Sequence, residues 1–372
     1  MKTNKIILFL VVLVLLAGAV CATDISDDKI SNQDTQEKLV KDTQTVSQTD
    51  AVMQESNMNN KIEKSLNDNK KASADKIIEK SADDKTNIKQ ATITVNSWDT
   101  FVTAFNDAKT KTQDTTIFLE QGIYTISDPL EWNNTNILLT IDGNNQTIDG
   151  NQRKVFTINS ECSMLLKNIT ITNAYGYNDR GGAISNYGNL NITDSILSHN
   201  SEVYYTGGGA IYSSGNLTII NSTLNNNRAD TCRGGAIYNN NGNLTIINST
   251  LFNNTSSWDG GAIEQYMGSL TLNDSIFENN TAGMQGGAIC LYGYPVDAYF
   301  NISNSNFTEN TADQGAAIYA LDDARGNLTG NTFKENTATE NGETLTLQNT
   351  KLADNTYYST DFDLSEVKLF IE

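Results

Sequence analysis

The side chains with the greatest capacity for chemistry in this sequence are carboxylates and aromatic rings. The 372 residues include 44 acidic and 25 basic side chains and one histidine, for a formal net charge of −19. A single imidazole argues against a histidine proton relay and against a histidine-rich metal site. The acidic excess repels phosphate groups, which excludes nucleic acid as a partner. The chemistry that remains is hydrogen bonding by carboxylates, stacking by aromatic rings and coordination of a hard cation.

One group of candidates combines tyrosines with carboxylates. Its members are Tyr292, Tyr294, Asp297, Asp322, Asp323 and Arg325. Tyrosine rings can stack on a sugar while neighbouring carboxylates accept hydrogen bonds from its hydroxyl groups, and the same carboxylates could hold Ca²⁺. The simpler alternative is a solvated insertion that binds nothing. We expect no resident cofactor, and Ca²⁺ is the one ion that this group could take.

A second group combines aromatic rings with one arginine. Its members are Tyr204, Tyr205, Arg233, Trp258 and Asp259. Arg233 and Asp259 each stand directly before a Gly-Gly-Ala-Ile tetrad, so their common repeat position predicts an ion pair between them. A series of exposed aromatic rings is a platform for carbohydrate or protein. The alternative is that the rings cover an otherwise open turn.

The elements that must position these groups come from an internal repeat. The tetrad begins at Gly181, Gly208, Gly234, Gly260 and Gly286 and recurs as Gly-Ala-Ala-Ile from Gly315, with steps of 27, 26, 26, 26 and 29 residues. An apolar-x-x-Asn motif follows in every unit and ends at Asn200, Asn227, Asn254, Asn280, Asn310, Asn336 and Asn355. The distance from the first glycine of the tetrad to the apolar residue of the next strand is 9 or 10 residues in the first four units, but 14 after Gly286 and 13 after Gly315. Two adjacent units therefore protrude at one corner, which carries the first candidate group.

A unit of this length predicts an all-β, right-handed, single-stranded parallel β-helix, a solenoid of about 26 to 27 residues per coil. The unit is too long for one hairpin and too short for a propeller blade of about 40 residues. Identical residues then stack in columns, so inward Ile, Leu and Phe form the core and a structural ladder is predicted at Asn200, Asn227, Asn254, Asn280, Asn310 and Asn336. Tyr212, Tyr238 and Tyr319 follow the tetrad isoleucine and are expected to point outward. An amphipathic pattern predicts a short helix at 97–109 with Ser97 as its N-cap.

The tetrads and Phe-x-x-Asn motifs over residues 140–355 resemble the repeats of chlamydial polymorphic membrane proteins and of adhesin-like surface proteins of methanogenic archaea. The segment from Ile141 to Gly150 resembles the early coils of pectate-lyase-like β-helices, whose first coil is capped by a helix. The resemblance implies a non-catalytic rod, secreted or at the cell surface, whose partner is a glycan or protein of another cell or of the cell envelope. No membrane span or sorting motif is recognisable after Leu352, so membrane attachment would need an anchor that the sequence does not show.

A polysaccharide-processing enzyme, either a lyase or a glycoside hydrolase, is the alternative function. Many β-helices cleave acidic glycans with carboxylates and basic groups on one face. The Gly-His-Gly and Arg-Ile-Lys motifs of polygalacturonase-like hydrolases do not occur, and His199 occupies a position taken by asparagine in other units, which is typical of a turn. Residues 91–372 hold 12 basic and 30 acidic side chains, a balance that opposes an acidic sugar. We therefore expect no catalytic residue.

The N-terminal 90 residues divide into two segments. Residues 1–22 are predicted to be a signal peptide, because Lys2 and Lys5 precede an apolar run that ends in the cleavage pattern Val20-Cys21-Ala22. An uncleaved membrane anchor is the alternative. Residues 23–90 contain no aromatic residue and no proline, which predicts a low-complexity disordered spacer. Residues 91–372 are then the β-helix domain.

Fifteen Asn-x-Ser/Thr sequons follow residue 91, and in an exported protein they are potential glycan acceptors. The candidates are Asn133, Asn168, Asn191, Asn216, Asn243, Asn301 and Asn327. We expect a minority of the sequons to be modified, since an asparagine that points inward cannot carry a glycan. The three cysteines beyond the signal segment are an odd, unaligned set, which argues against a disulfide framework.

Overall fold

A computed structural model of the chain describes residues 91–177, 180–204, 207–321, 323–340, 344–358 and 367–370. The predicted signal peptide and spacer lie outside these residues, and so do Tyr205 and Asp322. The described residues build a parallel β-solenoid of about ten coils with one α-helix near its N-terminal side. The predicted all-β parallel β-helix is confirmed.

The helix α1 (Trp98–Ala108) begins where the sequence predicts it. Ser97 is its N-cap, and its side chain accepts a hydrogen bond from the backbone of the first turn in a capping box. The apolar face of α1 packs on the first coils: the ring centroid of Phe105 lies 5.6 Å from that of Trp132 and 6.1 Å from that of Phe156. The helix therefore covers the N-terminal end of the apolar core.

Three parallel sheets run along the solenoid. The first sheet contains 18 strands: β1 (Ala91–Ser97), β2 (Thr115–Thr125), β4 (Leu138–Asp149), β6 (Ser163–Thr172), β9 (Asn189–Thr193), β10 (Ile196–Ser198), β13 (Asn216–Ile220), β14 (Thr223–Asn225), β17 (Asn243–Ile247), β18 (Thr250–Phe252), β21 (Gly268–Asn273), β22 (Ile276–Glu278), β25 (Ala298–Ser303), β26 (Asn306–Thr308), β29 (Ala324–Thr329), β30 (Thr332–Lys334), β33 (Thr350–Ala353) and β34 (Thr356–Tyr358). The second sheet contains ten: β3 (Leu130–Trp132), β5 (Phe156–Ile158), β8 (Ile184–Asn186), β12 (Ile211–Ser213), β16 (Ile237–Asn240), β20 (Ile263–Tyr266), β24 (Ile289–Tyr292), β28 (Ile318–Leu321), β32 (Leu345–Gln348) and β35 (Val367–Phe370). The third sheet contains seven: β7 (Tyr175–Gly176), β11 (Ser201–Glu202), β15 (Arg228–Ala229), β19 (Thr255–Ser256), β23 (Thr281–Ala282), β27 (Thr311–Ala312) and β31 (Thr337–Ala338).

Each regular coil contributes one strand to the second sheet, two successive strands to the first and one short strand to the third. Identical residues align between coils, so that Leu217 lies between Leu190 and Leu244 in the first sheet. Leucine and isoleucine at such positions are almost fully buried, whereas the residues between them face outward. The columns of the repeat are therefore the columns of the core.

Asparagines line the turn between the first and third sheets. The backbone N–H of Asn227 donates to Oδ1 of Asn254 at 3.1 Å, and Nδ2 of Asn227 donates to the same oxygen at 3.0 Å and to the carbonyl of Leu197 at 3.0 Å. The same bonds to the next coil join Asn200, Asn227, Asn254, Asn280, Asn310 and Asn336. The residue before each of these asparagines has a positive φ, which is 54° at His199. The amides thus satisfy backbone groups that a left-handed turn leaves unpaired.

A second ladder, which the sequence analysis missed, lies between the two strands that each coil gives to the first sheet. The backbone N–H of Ser222 donates to Oγ of Ser249 at 3.1 Å, and that of Ser249 donates to Oγ of Ser275 at 3.1 Å. The ladder continues through Ser305 to Asn331 and Asn355. Serine at this buried bend therefore serves the same purpose as asparagine at the other.

The sequence predicts Asn355 as the residue that follows Asn336 in its column, and this prediction is wrong. Leu352 pairs with Leu328, and Oδ1 of Asn355 accepts from the backbone of Asn331 at 3.0 Å. The apolar-x-x-Asn motif occurs twice in the preceding coil, ending at Asn331 and again at Asn336. A motif shared by two bends leaves the register ambiguous until the strands pair.

The column of Tyr212, Tyr238 and Tyr319 lies on the outer side of the second sheet but is not exposed. Tyr212 is 2% and Tyr319 is 6% exposed, and Tyr238 is half-buried. The segments before the tetrads fold over this column, where Nη1 of Arg180 donates to the Tyr212 hydroxyl at 3.1 Å. At Gly207, a Cβ atom would meet the Tyr238 ring at 2.8 Å, so only glycine fits against it.

Candidate functional site

Arg233 and Asp259 lie in the segments that cover the second sheet, each directly before its tetrad. Nε of Arg233 is 3.3 Å from Oδ2 of Asp259. The backbone makes a parallel contact, since the N–H of Gly234 donates to the carbonyl of Asp259 at 2.9 Å. Asp259 is buried and Arg233 is half-buried, so solvent screens their attraction less than it would at the surface.

A second carboxylate at this ion pair escaped the sequence analysis. Glu264 is fully buried on β20, and its Oε1 lies 3.5 Å from Nη1 of Arg233. Strand pairing places Glu264 between Tyr238 and Cys290. Among the described residues, neither of its carboxylate oxygens has a hydrogen bond of ordinary geometry. Its sequence signal is that Glu264 occupies the repeat position at which Tyr212, Tyr238 and Tyr319 stand in other coils.

One guanidinium thus serves two buried carboxylates. Burial raises the pKa of Glu264 to about 8, the charge of Asp259 adds to the rise, and Arg233 opposes it. Burial also raises the pKa of Asp259 against the pull of Arg233. The Cys290 thiol has a raised pKa as well, first through burial and next through Glu264. Burial and the charge of Asp259 therefore favour the protonated form of Glu264 at neutral pH.

Two aromatic rings lie over Arg233. The Cζ atom of Arg233 is 5.7 Å from the ring centroid of Trp258 and 6.0 Å from that of Tyr292, distances at which cation–π attraction contributes. The Tyr292 hydroxyl is hydrogen-bonded to Oε1 of Gln285. We call Arg233, Trp258, Asp259, Glu264 and Tyr292 the Arg233 cluster. Its carboxylates are closed off from solvent, so the cluster is suited to holding coils together.

The first predicted group divides where β24 ends. Tyr292 is the last residue of β24 and belongs to the Arg233 cluster, whereas Tyr294 lies between β24 and β25 and is 67% exposed. Val296 in the same segment is 58% exposed, and Tyr299 in β25 is 56% exposed. Val296 and Tyr299 were not predicted, although the insertion after Gly286 signalled the surface on which they stand.

The second protrusion predicted from the sequence is wrong, because Phe300 pairs with Gly326 and not with Leu328. The coil after Gly315 is therefore only one residue longer at this corner than the coil after Gly260.

Ion pairs order this surface. The Tyr299 hydroxyl donates to Oδ2 of Asp297 at 2.9 Å, which raises the pKa of Tyr299. Nε of Arg325 lies 3.6 Å from Oδ2 of Asp297, and Nη2 of Arg325 lies 3.5 Å from Oδ1 of Asp323. Tyr299 and Arg325 are neighbours in the register of β25 and β29. We call Tyr294, Val296, Asp297, Tyr299 and Arg325 the tyrosine patch.

The aromatic residues of the second predicted group make different contacts. Tyr204 packs edge-to-face on Tyr177 with ring centroids 5.5 Å apart, and Tyr177 is 66% exposed. Trp258 is half-buried and lies over Arg233. The structure therefore gives Tyr204 a separate aromatic pair and gives Trp258 a place in the Arg233 cluster.

The candidate glycosylation sites are on the surface. The exposed ones are Asn133, Asn191, Asn216, Asn243, Asn301 and Asn327, and Asn168 is half-buried. In contrast, the sequon asparagine Asn254 is fully buried in the asparagine ladder. Exposure thus separates the sequons that could carry a glycan from those that could not.

In the part of the chain that the structure describes, no three or more His, Cys, Asp or Glu side chains are grouped so as to hold a metal ion. Cys162, Cys232 and Cys290 are buried and unbridged. Among the same residues, no helix combines the length and the apolar character that crossing a membrane requires.

Comparison with known protein families tests the repeat independently. Residues 221–240 and 274–292 match the Chlamydia polymorphic membrane protein repeat. The repeat resemblance is confirmed. Each matched segment of this polymorphic membrane protein repeat contains an apolar-x-x-Asn motif followed by a tetrad, the two motifs that carried the resemblance. No curated protein matches the chain significantly.

Proposed function

We propose that this chain is an exported, adhesin-like rod of the cell surface that binds its partner through the tyrosine patch without altering it chemically. The observation that carries the proposal is the exposure of Tyr294, Val296 and Tyr299 at and beside the insertion that joins β24 to β25. The polymorphic membrane protein repeat and the solenoid fold fit a surface-exposed, adhesin-like protein.

The geometry of the tyrosine patch favours binding. Its rings offer apolar area to a ligand, and contiguous exposed apolar area is a mark of interaction sites. Arg325 is held between Asp297 and Asp323, so its guanidinium is ordered before a ligand arrives. Such preorganisation lowers the entropic cost of association.

Electrostatics restricts the partner. The chain has a net charge of −19, and around the tyrosine patch Asp297 and Asp323 outnumber Arg325. An acidic ligand is therefore repelled, and a neutral or basic one is favoured. The proposed partner is a neutral or basic glycan or protein of another cell or of the cell envelope.

The buried carboxylates do not suit polysaccharide cleavage. A catalytic acid must reach the bond that it protonates, yet Asp259 and Glu264 are shielded by the residues around them. Asp297 and Asp323 are both engaged by Arg325. Binding without cleavage is thus the function that the arrangement of these groups favours.

The test uses the purified full chain on an array of neutral, acidic and amino-sugar glycans and on a cell-envelope preparation. We expect retention without release of reducing-end or unsaturated sugars. Replacing both rings in Tyr294→Ala/Tyr299→Ala should weaken retention about ten-fold or more, because exposed aromatic anchors dominate small interfaces.

The matched control is Tyr177→Ala, which removes an equally exposed ring from another part of the solenoid. This variant should bind like the unaltered chain. Retention that survives the double substitution would contradict the role of the tyrosine patch, and sugar release would favour an enzyme.

A further inference from the structure

The sequon has the same period as a β-strand. Alternate residues of a strand face the same side, so the asparagine and the Ser/Thr of Asn-x-Ser/Thr point one way and the middle residue points the other. In β25, Asn301 is exposed, Ile302 is fully buried and Ser303 is half-buried. A sequon whose middle residue is a core Leu or Ile therefore presents its acceptor to solvent.

The outer face of the first sheet carries most of these acceptors. Its exposed asparagines in sequons with a core Leu or Ile at the middle position are Asn191, Asn216, Asn243, Asn301 and Asn327. Two of them already use their amides in an outer ladder: Nδ2 of Asn216 donates to Asn189 at 2.8 Å, and Nδ2 of Asn243 donates to Asn216 at 2.9 Å. A glycan on either asparagine replaces one amide hydrogen and crowds this ladder.

Asn301 has a neighbour that the other acceptors lack. Tyr299 stands two residues earlier in β25, on the same face and about 7 Å away along the strand. Its ring is 56% exposed and is steadied by the hydroxyl bond to Asp297. The residue two positions before the acceptor is Asn189 for Asn191 and Arg325 for Asn327, and neither is aromatic. A sugar on Asn301 can thus cover an exposed aromatic ring.

We propose that Asn301 is an N-linked glycan acceptor and that the first sugar of its glycan packs on the Tyr299 ring. The inference rests on the proposed export of the chain, since the donor is a lipid-linked oligosaccharide of the export route. In this transfer Nδ2 of Asn301 attacks C1 of the donor sugar and loses one proton. The bond from C1 to the lipid phosphate oxygen breaks, and the lipid phosphate leaves.

Packing of the sugar has a consequence for the tyrosine patch. The apolar C–H face of a pyranose matches the flat face of a tyrosine ring, and burying that ring removes apolar area from water. The glycan then occupies one of the two exposed rings of the patch. The glycosylated chain is therefore expected to bind its partner more weakly than Asn301→Gln, which leaves Tyr299 bare.

The experiment secretes the full chain from a cell line that performs N-glycosylation, with a C-terminal tag that contains a flexible Asn-Gly-Thr sequon. Glycopeptide mapping should find Asn301 occupied in most secreted molecules and Asn254 unoccupied. Under native conditions, a peptide N-glycosidase should release the Asn301 glycan more slowly than a glycan on Asn191, which has no aromatic neighbour at the corresponding position.

Two variants separate packing from mere occupancy. Tyr299→Ala should speed release from Asn301 by about three-fold or more, whereas Tyr299→Phe, which keeps the ring, should not. If the tag sequon carries a glycan and Asn301 does not, the proposal that Asn301 is an acceptor is wrong. If the Asn301 glycan is released at the same rate from Tyr299→Ala and Tyr299→Phe, the proposal that the first sugar packs on the Tyr299 ring is wrong. A chain that stays inside the cell with its tag unmodified would refute the export in the proposed function and this inference with it.

Discussion

At the scale of single residues, the protonation of the Arg233 cluster follows from counting charges. Asp259 and Glu264 are both buried, and Arg233 is their common cation. If both carboxylates were ionised, the cluster would carry an uncompensated negative charge away from water, which is costly. Keeping a proton on Glu264 removes that charge. The free energy of unfolding therefore depends on pH through the protonation of Glu264.

This linkage predicts that the free energy of unfolding falls as the pH rises from about 5 to about 8. The pKa of Glu264 is about 8 in the folded chain against an ordinary value of 4.5, so between these values the folded chain holds a proton that the unfolded chain has released. The contribution is complete below the lower value and is lost as the pH passes the higher one. Denaturant unfolding across this range should show a slope of up to about 1.4 kcal/mol per pH unit from this group.

The control for this prediction is Glu264→Gln, which keeps the shape of the side chain but cannot titrate. It removes the contribution of Glu264 and retains that of every other carboxylate. Its stability should therefore depend less steeply on pH over the same range. If the two proteins gave the same slope, the proton would not reside on Glu264.

At the scale of elements, hydrogen-bonded ladders join one coil to the next. Strand pairing alone leaves the tight bends between strands without partners, and the asparagine and serine ladders fill those positions. The asparagine ladder is internal, so its bonds form where water cannot replace them. The stability of a bend thus depends on the same residue being present in successive coils.

Asn254→Ala is predicted to destabilise the domain by about 3 kcal/mol or more. The Asn254 side chain accepts from the backbone and the amide of Asn227 at 3.1 and 3.0 Å and donates to Asn280 and Leu224 at 3.0 and 2.9 Å. Alanine would leave these buried partners unsatisfied. The free energy of unfolding from urea titration measures the loss.

The comparison for Asn254 is Asn243→Ala in the outer ladder. Asn243 is exposed, donates to Asn216 at 2.9 Å and accepts from Ser269 at 2.7 Å. Water can replace both bonds, so the expected loss is below about 1 kcal/mol. Similar losses at the two sites would mean that burial does not set the strength of the ladders.

At the scale of the whole molecule, the core is continuous along the solenoid. Phe277, Phe307, Phe333 and Tyr357 stack in successive coils with centroids 5.1, 5.1 and 5.3 Å apart. Each coil packs on its neighbours, and α1 packs over the first coils. In such an arrangement a local defect is transmitted mainly to adjacent coils.

Phe105→Ala in α1 is therefore predicted to loosen the N-terminal coils first. The change removes a fully buried ring that contacts Trp132 and Phe156, at a cost of about 3 to 5 kcal/mol. Hydrogen exchange should lose protection in β2 to β5 while β20 to β28 keep theirs. Thr103→Ala, an exposed substitution on the same helix, should leave exchange unchanged. Uniform loss of protection would show that the solenoid opens as a single unit.

Much of the fold was predictable because its information is local and repeated. The period, the inward apolar columns and the Ser97 cap follow from residue spacing, which is the same in every coil. Prediction failed where one pattern served two positions. Asn355 matched the motif of one ladder and joined the other, because only strand pairing distinguishes the two bends.

The sequence by itself determined that the chain forms a parallel solenoid, which apolar residues share a column, that the coil after Gly286 carries an insertion and that the chain is acidic. Only the tertiary structure decided which polar and aromatic groups reach solvent. Alternation sends Glu264 and Tyr292 outward, but the segments before the tetrads fold over them, whereas Tyr294 and Tyr299 stay uncovered. The physical reason is that alternation sets the side of the sheet that a residue faces, while burial depends on which distant segment of chain packs over that side.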